Sequence, residues 1–169
     1  MKKEDRQQFT RRITQANSTE LVVILYEMLI CYLEDAAEAL RQEDAPDASR
    51  QEGALPDAFR EAVRKARGCM NELIASLNLK YEPASNLLQL YMFCIRRLAL
   101  GEARRDAELL AEIKRVITPL HDAYSRIACQ NTSGPVMRNS QTVYAGLTYG
   151  RNTLTENMAD QGANRGMLV

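Results

Sequence analysis

The fold is indicated by one apolar run, Leu21-Val22-Val23-Ile24-Leu25-Tyr26-Glu27-Met28-Leu29-Ile30-Cys31-Tyr32-Leu33, in which Glu27 is the single charged residue. The run is too long for an ordinary strand, and no Gly or Pro interrupts the chain before Pro46. Residues 34–40 continue it with a composition that favours helix. We therefore predict one long helix over residues 18–42. Its apolar part is shorter than the roughly twenty residues needed to cross a bilayer, so we expect no membrane insertion.

The first half of this helix carries more apolar residues than a helical core needs, which is about three in seven. Two interpretations stay open. Either the helix is simply the most enclosed one, partly covered by residues 1–14, or its surplus apolar surface forms a groove for an amphipathic segment of a partner. Plotted around a helix, the apolar residues fall into two neighbouring stripes and a far side: Leu21, Leu25, Met28 and Tyr32; Val22, Tyr26, Leu29 and Leu33; and Val23, Ile24 and Ile30.

A polar segment and a helix-capping motif precede the run. Residues 2–14 are mostly polar, but Phe9 and Ile13 lie four residues apart and would share one helix face. The tetrad Asn17-Ser18-Thr19-Glu20 resembles a capping box, in which Asn17 accepts from a free backbone N–H and Glu20 reaches back. We predict an N-terminal cap segment over residues 1–16 and a helix that begins near Ser18.

Three further amphipathic helices are predicted before residue 130. A solvated loop over residues 43–55, which contains Pro46 and Gly53, separates the first helix from the second. The second helix has Pro56 in its first turn and runs to about Asn78. The third helix follows a connector at residues 80–83 and ends near Gly101. The fourth helix is capped by Asp106, contains Pro119 and reaches Ile127.

Two of the connections are short, and short connections make neighbouring helices antiparallel. The sequence therefore predicts an all-α fold, an antiparallel up-down-up-down four-helix bundle in a domain of residues 1–130. Residues 131–169, rich in Asn, Gly, Ser, Thr and Gln, are expected to form a flexible C-terminal tail. That tail is either an extension without function or a tethered motif around Val143 and Tyr144 that docks on a partner or on the bundle.

Composition argues against several classes of function. The 22 basic residues balance the 22 acidic ones, so we expect no nucleic-acid binding. His121 is the only histidine, and a metal site built from repeated histidine ligands is therefore excluded. We predict no catalytic residues, no metal, no cofactor and no enzyme activity. The residues after Met1 do not resemble a signal peptide, which favours a cytoplasmic location. Widely spaced cysteines fit free thiols in that compartment: Cys31, Cys69, Cys94 and Cys129.

Several segments in order resemble the FliS-type flagellar secretion chaperones, also called flagellin export chaperones. Residues 16–26 are similar to the family's opening, a small-residue cap followed by Glu-Leu and then Leu-Tyr. Residues 72–78 resemble the end of its second bundle helix, and residues 86–98 its third, with the Asn-Leu, Leu-Tyr and Arg-Arg-Leu pattern. Asp106 and residues 120–124 match its last helix, although Tyr124 stands where a Trp is frequent. The likeness covers about residues 8–128.

The resemblance implies a chaperone of bacterial flagellum biogenesis. Such a protein binds the C-terminal segment of flagellin in the cytosol, prevents premature polymerisation and assists delivery to the flagellar type III secretion apparatus, whose export gate components are further expected partners. Phe9 and Ile13 would plug the groove in the absence of the client. The expected client-binding residues are Leu21, Ile24, Leu25, Met28, Tyr32, Ile74 and Tyr91. The alternative is a self-associating structural or adaptor helical bundle whose spare apolar face makes a homodimer.

Overall fold

A computed structural model describes residues 3–43 and 56–137. These residues form five α-helices and no strand, so the predicted all-α class is confirmed for this part of the chain. The remainder of the predicted loop, residues 44–55, and most of the predicted tail, residues 138–169, lie outside the described residues. The helices are α1 (Lys3–Gln15), α2 (Ser18–Glu43), α3 (Asp57–Ala75), α4 (Glu82–Arg104) and α5 (Ala107–Ala128).

The long apolar helix, α2, contacts three of the other helices: α1, α3 and α5. Helix α4 contacts α3 and α5, so that α2 to α5 surround one core in chain order. Residues of α2 that face this core recur every three or four positions, as a core-facing helix requires. Full burial of each large apolar side chain stabilises the fold by roughly 1.5–3 kcal/mol. The core-facing residues of α2 include Tyr26, Leu29, Leu33, Ala36 and Leu40.

A cluster of three tyrosines lies within the helices around the core. The hydroxyls of Tyr26 on α2 and Tyr91 on α4 are hydrogen-bonded to each other. The ring of Tyr124 on α5 lies 5.6 Å from that of Tyr26, centroid to centroid, at a tilt of 58°. Burial, followed by the hydrogen bond to Tyr91, raises the pKa of Tyr26 far above its ordinary value. The pair therefore stays protonated, and within the described residues no buried side-chain nitrogen or oxygen lacks a hydrogen-bond partner.

The bounds of α2 and the Asp106 cap follow the sequence predictions, but the ends of α3 do not. Pro56 is the N-cap residue of α3 rather than part of its first turn, and its carbonyl oxygen accepts from the N–H of Arg60 at 3.1 Å. The helix ends at Ala75, before the predicted Asn78. The Ser76 hydroxyl donates to the carbonyl of Leu73 at 2.8 Å, which satisfies a free carbonyl of the last turn.

Both ends of α4 also differ from the prediction. The predicted connector at residues 80–83 is wrong for Glu82 and Pro83, which belong to the first turn of α4. Gly101 does not end the helix: it is buried, and a Cβ there would lie 3.4 Å from the Cβ of Leu109 on α5. The absence of a side chain at Gly101 therefore allows α4 and α5 to pack closely together. The chain leaves the helix at Arg105, whose φ of 55° is left-handed.

Candidate functional site

Helix α1 packs on one neighbour. Among the described helices it contacts α2 and no other. It is a polar helix whose two apolar residues, Phe9 and Ile13, are partly buried. Since Phe9 and Ile13 lie four residues apart, both can face α2. Because α1 has little apolar surface and contacts a single neighbour, we expect it to be held less firmly than the other helices.

Two residues of α2 are buried without belonging to the main core. Val23 is 7% exposed and Ile24 is 2% exposed, yet neither is part of the continuous cluster that contains Tyr26 and Leu29. Both belong to the far side of the helix, outside the two neighbouring apolar stripes described in the sequence analysis. Ile24 lines a groove of about 310 Å³ together with side chains from the end of α1 and the start of α2: Arg12, Gln15, Ala16 and Glu20. We infer that α1 supplies the cover over this apolar surface.

A second groove lies near the start of α1. Its volume is about 330 Å³, and its lining includes Arg6 of α1, Tyr32 of α2 and Lys65 of α3. Tyr32 is 7% exposed, and the Lys65 ammonium lies 5.8 Å from the centre of its ring. The lysine therefore adds a cation–π contact to the ring of Tyr32, in a groove whose lining also includes Asp35, Glu38 and Glu61. Grooves thus adjoin α1 near both of its ends.

The lone charge of the apolar run, Glu27, has basic side chains on two sides. Arg12 of α1 donates from both terminal nitrogens to its carboxylate, with Nη2–Oε1 at 2.9 Å, and the guanidinium lies 5.8 Å from the centre of the Phe9 ring. From α5, Nε2 of His121 lies 3.6 Å from Oε1. Burial alone would raise the pKa of Glu27, but the hydrogen bond and charge of Arg12, with a smaller effect of His121, hold it below its ordinary value.

The hinge between α1 and α2 is buried and fully capped. Ala16 and Asn17 are each 4% exposed. Oδ1 of Asn17 accepts from the backbone N–H of Thr19 at 3.0 Å and of Glu20 at 2.9 Å, and the Glu20 carboxylate accepts from the N–H of Asn17 at 2.8 Å. The predicted capping box is confirmed, and it fixes the direction in which the chain enters α2.

The other predicted contact residues occupy different depths. Leu21 is partly buried, and Leu25 and Met28 are partly buried against the core, as is Ile74 on α3. Tyr91 lies inside the core at 1% exposure. Ile24 and Tyr32 thus line grooves beside α1, the helix that contains the predicted plug, whereas Tyr91 lies in the core between the helices. The client-binding and plug roles of all these residues remain predictions.

Three residues of this surface were not among the predicted site residues: Val23, Glu27 and Arg12. A signal for one of them was present, because a single carboxylate in a run of apolar residues requires a partner when it is buried. That partner could not be identified from spacing, since Arg12 lies on a separate helix. Val23 was recognised as lying away from the core stripes, but nothing in the sequence said what covers it.

Ser125, His121 and Asp122 lie close together near this surface, but their arrangement is not that of a catalytic triad. Asp122 Oδ1 lies 3.1 Å from Nδ1 of His121, and Ser125 Oγ lies 3.5 Å from Nε2. All three are on α5, and Nε2 also faces the Glu27 carboxylate. A nucleophile needs backbone or side-chain donors aimed at a developing oxyanion, whereas the N–H groups in a helix interior are already paired. We assign this grouping no hydrolytic role.

In residues 3–43 and 56–137, no three His, Cys, Asp or Glu side chains are grouped so that they could hold a metal ion. No helix there is both long and hydrophobic enough to cross a bilayer. All four cysteines are free thiols. The absence of enzyme activity and of a cofactor stays a prediction.

Comparisons with known proteins agree with the resemblance seen in the sequence. The family model described as flagellar protein FliS matches residues 1–131. The flagellar secretion chaperone FliS of Bacillus subtilis (strain 168) is 25% identical over 114 residues, which cover 68% of this chain and 77% of that protein. Because the family model spans α1 to α5 and well over half of the sequence, the chain belongs to the FliS family of flagellar proteins.

Proposed function

We propose that this protein is a cytosolic flagellar secretion chaperone that binds the C-terminal segment of flagellin on the surface of α2 covered by α1. Family membership and the name of the Bacillus subtilis relative support the role of a secretion chaperone. The structural observation that carries the proposed site is the burial of Val23 and Ile24 outside the core, on the helix that α1 contacts. We call α1, residues 3–15, the lid.

The client suited to this surface is an amphipathic helix. Ends of flagellin that pair only in the assembled filament would expose apolar stripes as monomers, and such stripes promote association. A client helix in the place of the lid would bury its apolar stripe against Ile24 and Tyr32. Leu21, Leu25 and Met28 would extend the contact along α2 and Ile74 would extend it to α3, whereas Tyr91 would require movement in the core.

Competition between lid and client explains both protection and release. A tethered lid has a high effective concentration, so it covers Val23 and Ile24 whenever the client is absent. Ordering a client segment on binding consumes several kcal/mol of the gross interaction energy, which keeps the affinity moderate. The client would thereby be shielded from premature polymerisation yet released at the type III export gate.

The proposal also includes an up-down-up-down arrangement of helices α2 to α5. Along α2 and α5 the paired positions run in opposite order: Glu34 accepts from Nζ of Lys114 at 2.6 Å, and Glu27 faces His121. This supports an antiparallel α2–α5 pair. The short connections at residues 76–81 and 105–106 support antiparallel neighbours in the rest of the bundle.

The proposal is tested by titrating a labelled peptide of the flagellin C-terminal segment and measuring fluorescence anisotropy. Ile24→Asp should abolish binding, because it places a charge under the client's apolar face. The variant also loosens the lid, which by itself would strengthen binding, so a loss is informative. The matched control is Met92→Asp on α4, a helix that does not contact the lid; Met92 is 42% exposed.

Removal of residues 1–15 gives the complementary test. The apparent association constant should rise by a factor equal to one divided by the fraction of unmodified molecules in which the lid is open. Unchanged binding by Ile24→Asp, or weaker binding after lid removal, would contradict the proposed site. Light scattering across a concentration series separates this function from its alternative, since a self-associating bundle would form dimers that Ile24→Asp disrupts.

A further inference from the structure

The chain returns to the hinge of the lid after α5 ends. We call residues 129–137, which follow α5, the strap. The carbonyl of Asn131 accepts from Nδ2 of Asn17 at 3.3 Å, and Nδ2 of Asn131 donates to Oγ1 of Thr19 at 2.8 Å. The backbone N–H of Val136 donates to the carbonyl of Ala16 at 3.1 Å. Two of these hydrogen bonds connect one short segment to Ala16 and Asn17, on which the lid would have to turn, and the third connects it to Thr19 in the first turn of α2.

These contacts involve groups that are costly to leave without partners. The Ala16 carbonyl follows the last turn of α1, and carbonyls at a helix end need partners from outside the helix. Asn17 is 4% exposed, and its Nδ2 finds its acceptor in the strap. The strap is itself organised, because Oδ1 of Asn131 accepts from the N–H of Ser133 at 3.0 Å. The hinge is thus held by a preformed turn rather than by a loose end.

A swing of α1 away from α2 requires a change of backbone dihedrals at residues 16–17, since hinges absorb such motions at the ends of elements. The strap bonds hold those same residues in the closed geometry. We propose that the strap keeps the lid closed, so that opening of the lid requires release of the strap from Ala16 and Asn17. For its effect on client access, this inference rests on the proposed function.

Coupling of this kind acts in both directions. Loss of the strap contacts favours the open lid and therefore tighter binding of a client. Binding of a client, in turn, displaces the lid and frees the strap. The strap thus links the state of the client surface to the segment that leads into the last part of the chain.

The test is hydrogen exchange of the full chain without client, followed by mass spectrometry of peptides from α1 and α3. Val136→Pro removes the N–H that donates to Ala16, and Val136→Ala keeps it. Exchange in α1 should rise by about two- to tenfold in Val136→Pro, the range expected for one lost hydrogen bond. It should stay unchanged in α3, and Val136→Ala should resemble the unmodified protein in both helices.

A second variant guards against a general loss of stability. Asn131→Ala removes the bond to Thr19 and the turn at Ser133, and its α1 exchange should rise in the same way. Unchanged α1 exchange in Val136→Pro and in Asn131→Ala overturns the inference. So does an equal rise in α3 in both variants, because the strap would then stabilise the whole fold rather than the lid.

The flagellin titration distinguishes this inference from the proposed function. If both hold, Val136→Pro binds the flagellin peptide more tightly than Val136→Ala does. If exchange in α1 rises while the peptide fails to bind any of the variants or the unmodified protein, the strap is supported and the proposed client is contradicted.

Discussion

Arg12 of the lid donates two hydrogen bonds to the carboxylate of Glu27, the single charged residue in the apolar run of α2. The two side chains are 41% and 26% exposed, so water screens the pair only in part. The bidentate geometry fixes the position of the lid along α2 as well as its attachment. An apolar surface alone would allow the lid to slide, whereas this pair specifies one register.

Glu27→Gln should open the lid more often. The substitution keeps the size of the side chain and removes its charge, and a partly exposed bidentate pair contributes about 1 kcal/mol after solvent screening. We therefore expect hydrogen exchange in α1 to accelerate by about fivefold with α3 unchanged. The control is Glu108→Gln, which removes the exposed ion pair to Arg115 on α5. Equal exchange in the two variants would contradict the role of Glu27.

Closure of the lid should depend on pH through Glu27. The titratable side chains that face its carboxylate are Arg12 from α1 and His121 from α5, and the charge of Glu20 acts on Arg12. Opening of the lid removes Arg12, which lowers the pKa of Glu27 in the closed protein. The charge of Glu27 therefore stabilises closure above the ordinary carboxyl pKa. That stabilisation is lost as the pH falls through the lowered value.

We therefore expect α1 exchange, corrected for its intrinsic pH dependence, to rise as the pH falls below the ordinary pKa of a glutamate carboxyl. The Glu27→Gln variant should lack this step. The pH dependence would be assigned to other groups if the variant kept it.

Short-range chemistry accounts for what could be predicted from the sequence. The capping box at residues 17–20 involves groups within one turn of helix, and the core-facing positions of α2 follow from its period. The Asp106 cap is equally local. Such features depend on neighbours in sequence, so they were read correctly without knowledge of the fold.

Features decided by packing could not be predicted in the same way. Gly101 was expected to end its helix, but its lack of a Cβ serves the contact with Leu109, a tertiary reason that outweighs its local preference. The partner of Asn17 is Asn131, 114 positions away. Helix α1, which contacts α2, is a polar helix with two apolar residues, and this pattern is too weak to show where it docks.

The tyrosine pair in the core should show strong coupling in a double-mutant cycle. Tyr26→Phe leaves the buried hydroxyl of Tyr91 without its partner, and an unsatisfied buried polar group costs about 1–3 kcal/mol. Tyr91→Phe should cost a similar amount. The double variant removes both hydroxyls and should be less destabilised than the sum of the two. Urea unfolding followed by circular dichroism measures the three free energies, and additive losses would show that the hydroxyls do not stabilise each other.

Two glycines in helices should respond differently to alanine. Gly68 on α3 is exposed, and a Cβ placed there has no atom within 4 Å. Gly68→Ala should therefore stabilise the protein by about 0.5–1 kcal/mol through helix propensity alone, which raises the Tm by about 1–4 °C. At Gly101 the new Cβ would lie 3.4 Å from both Leu109 Cβ and Leu110 Cδ2, so steric crowding between α4 and α5 offsets that gain. Thermal unfolding should rank Gly68→Ala above Gly101→Ala, and the reverse order would show that the α4–α5 contact tolerates a methyl group without strain.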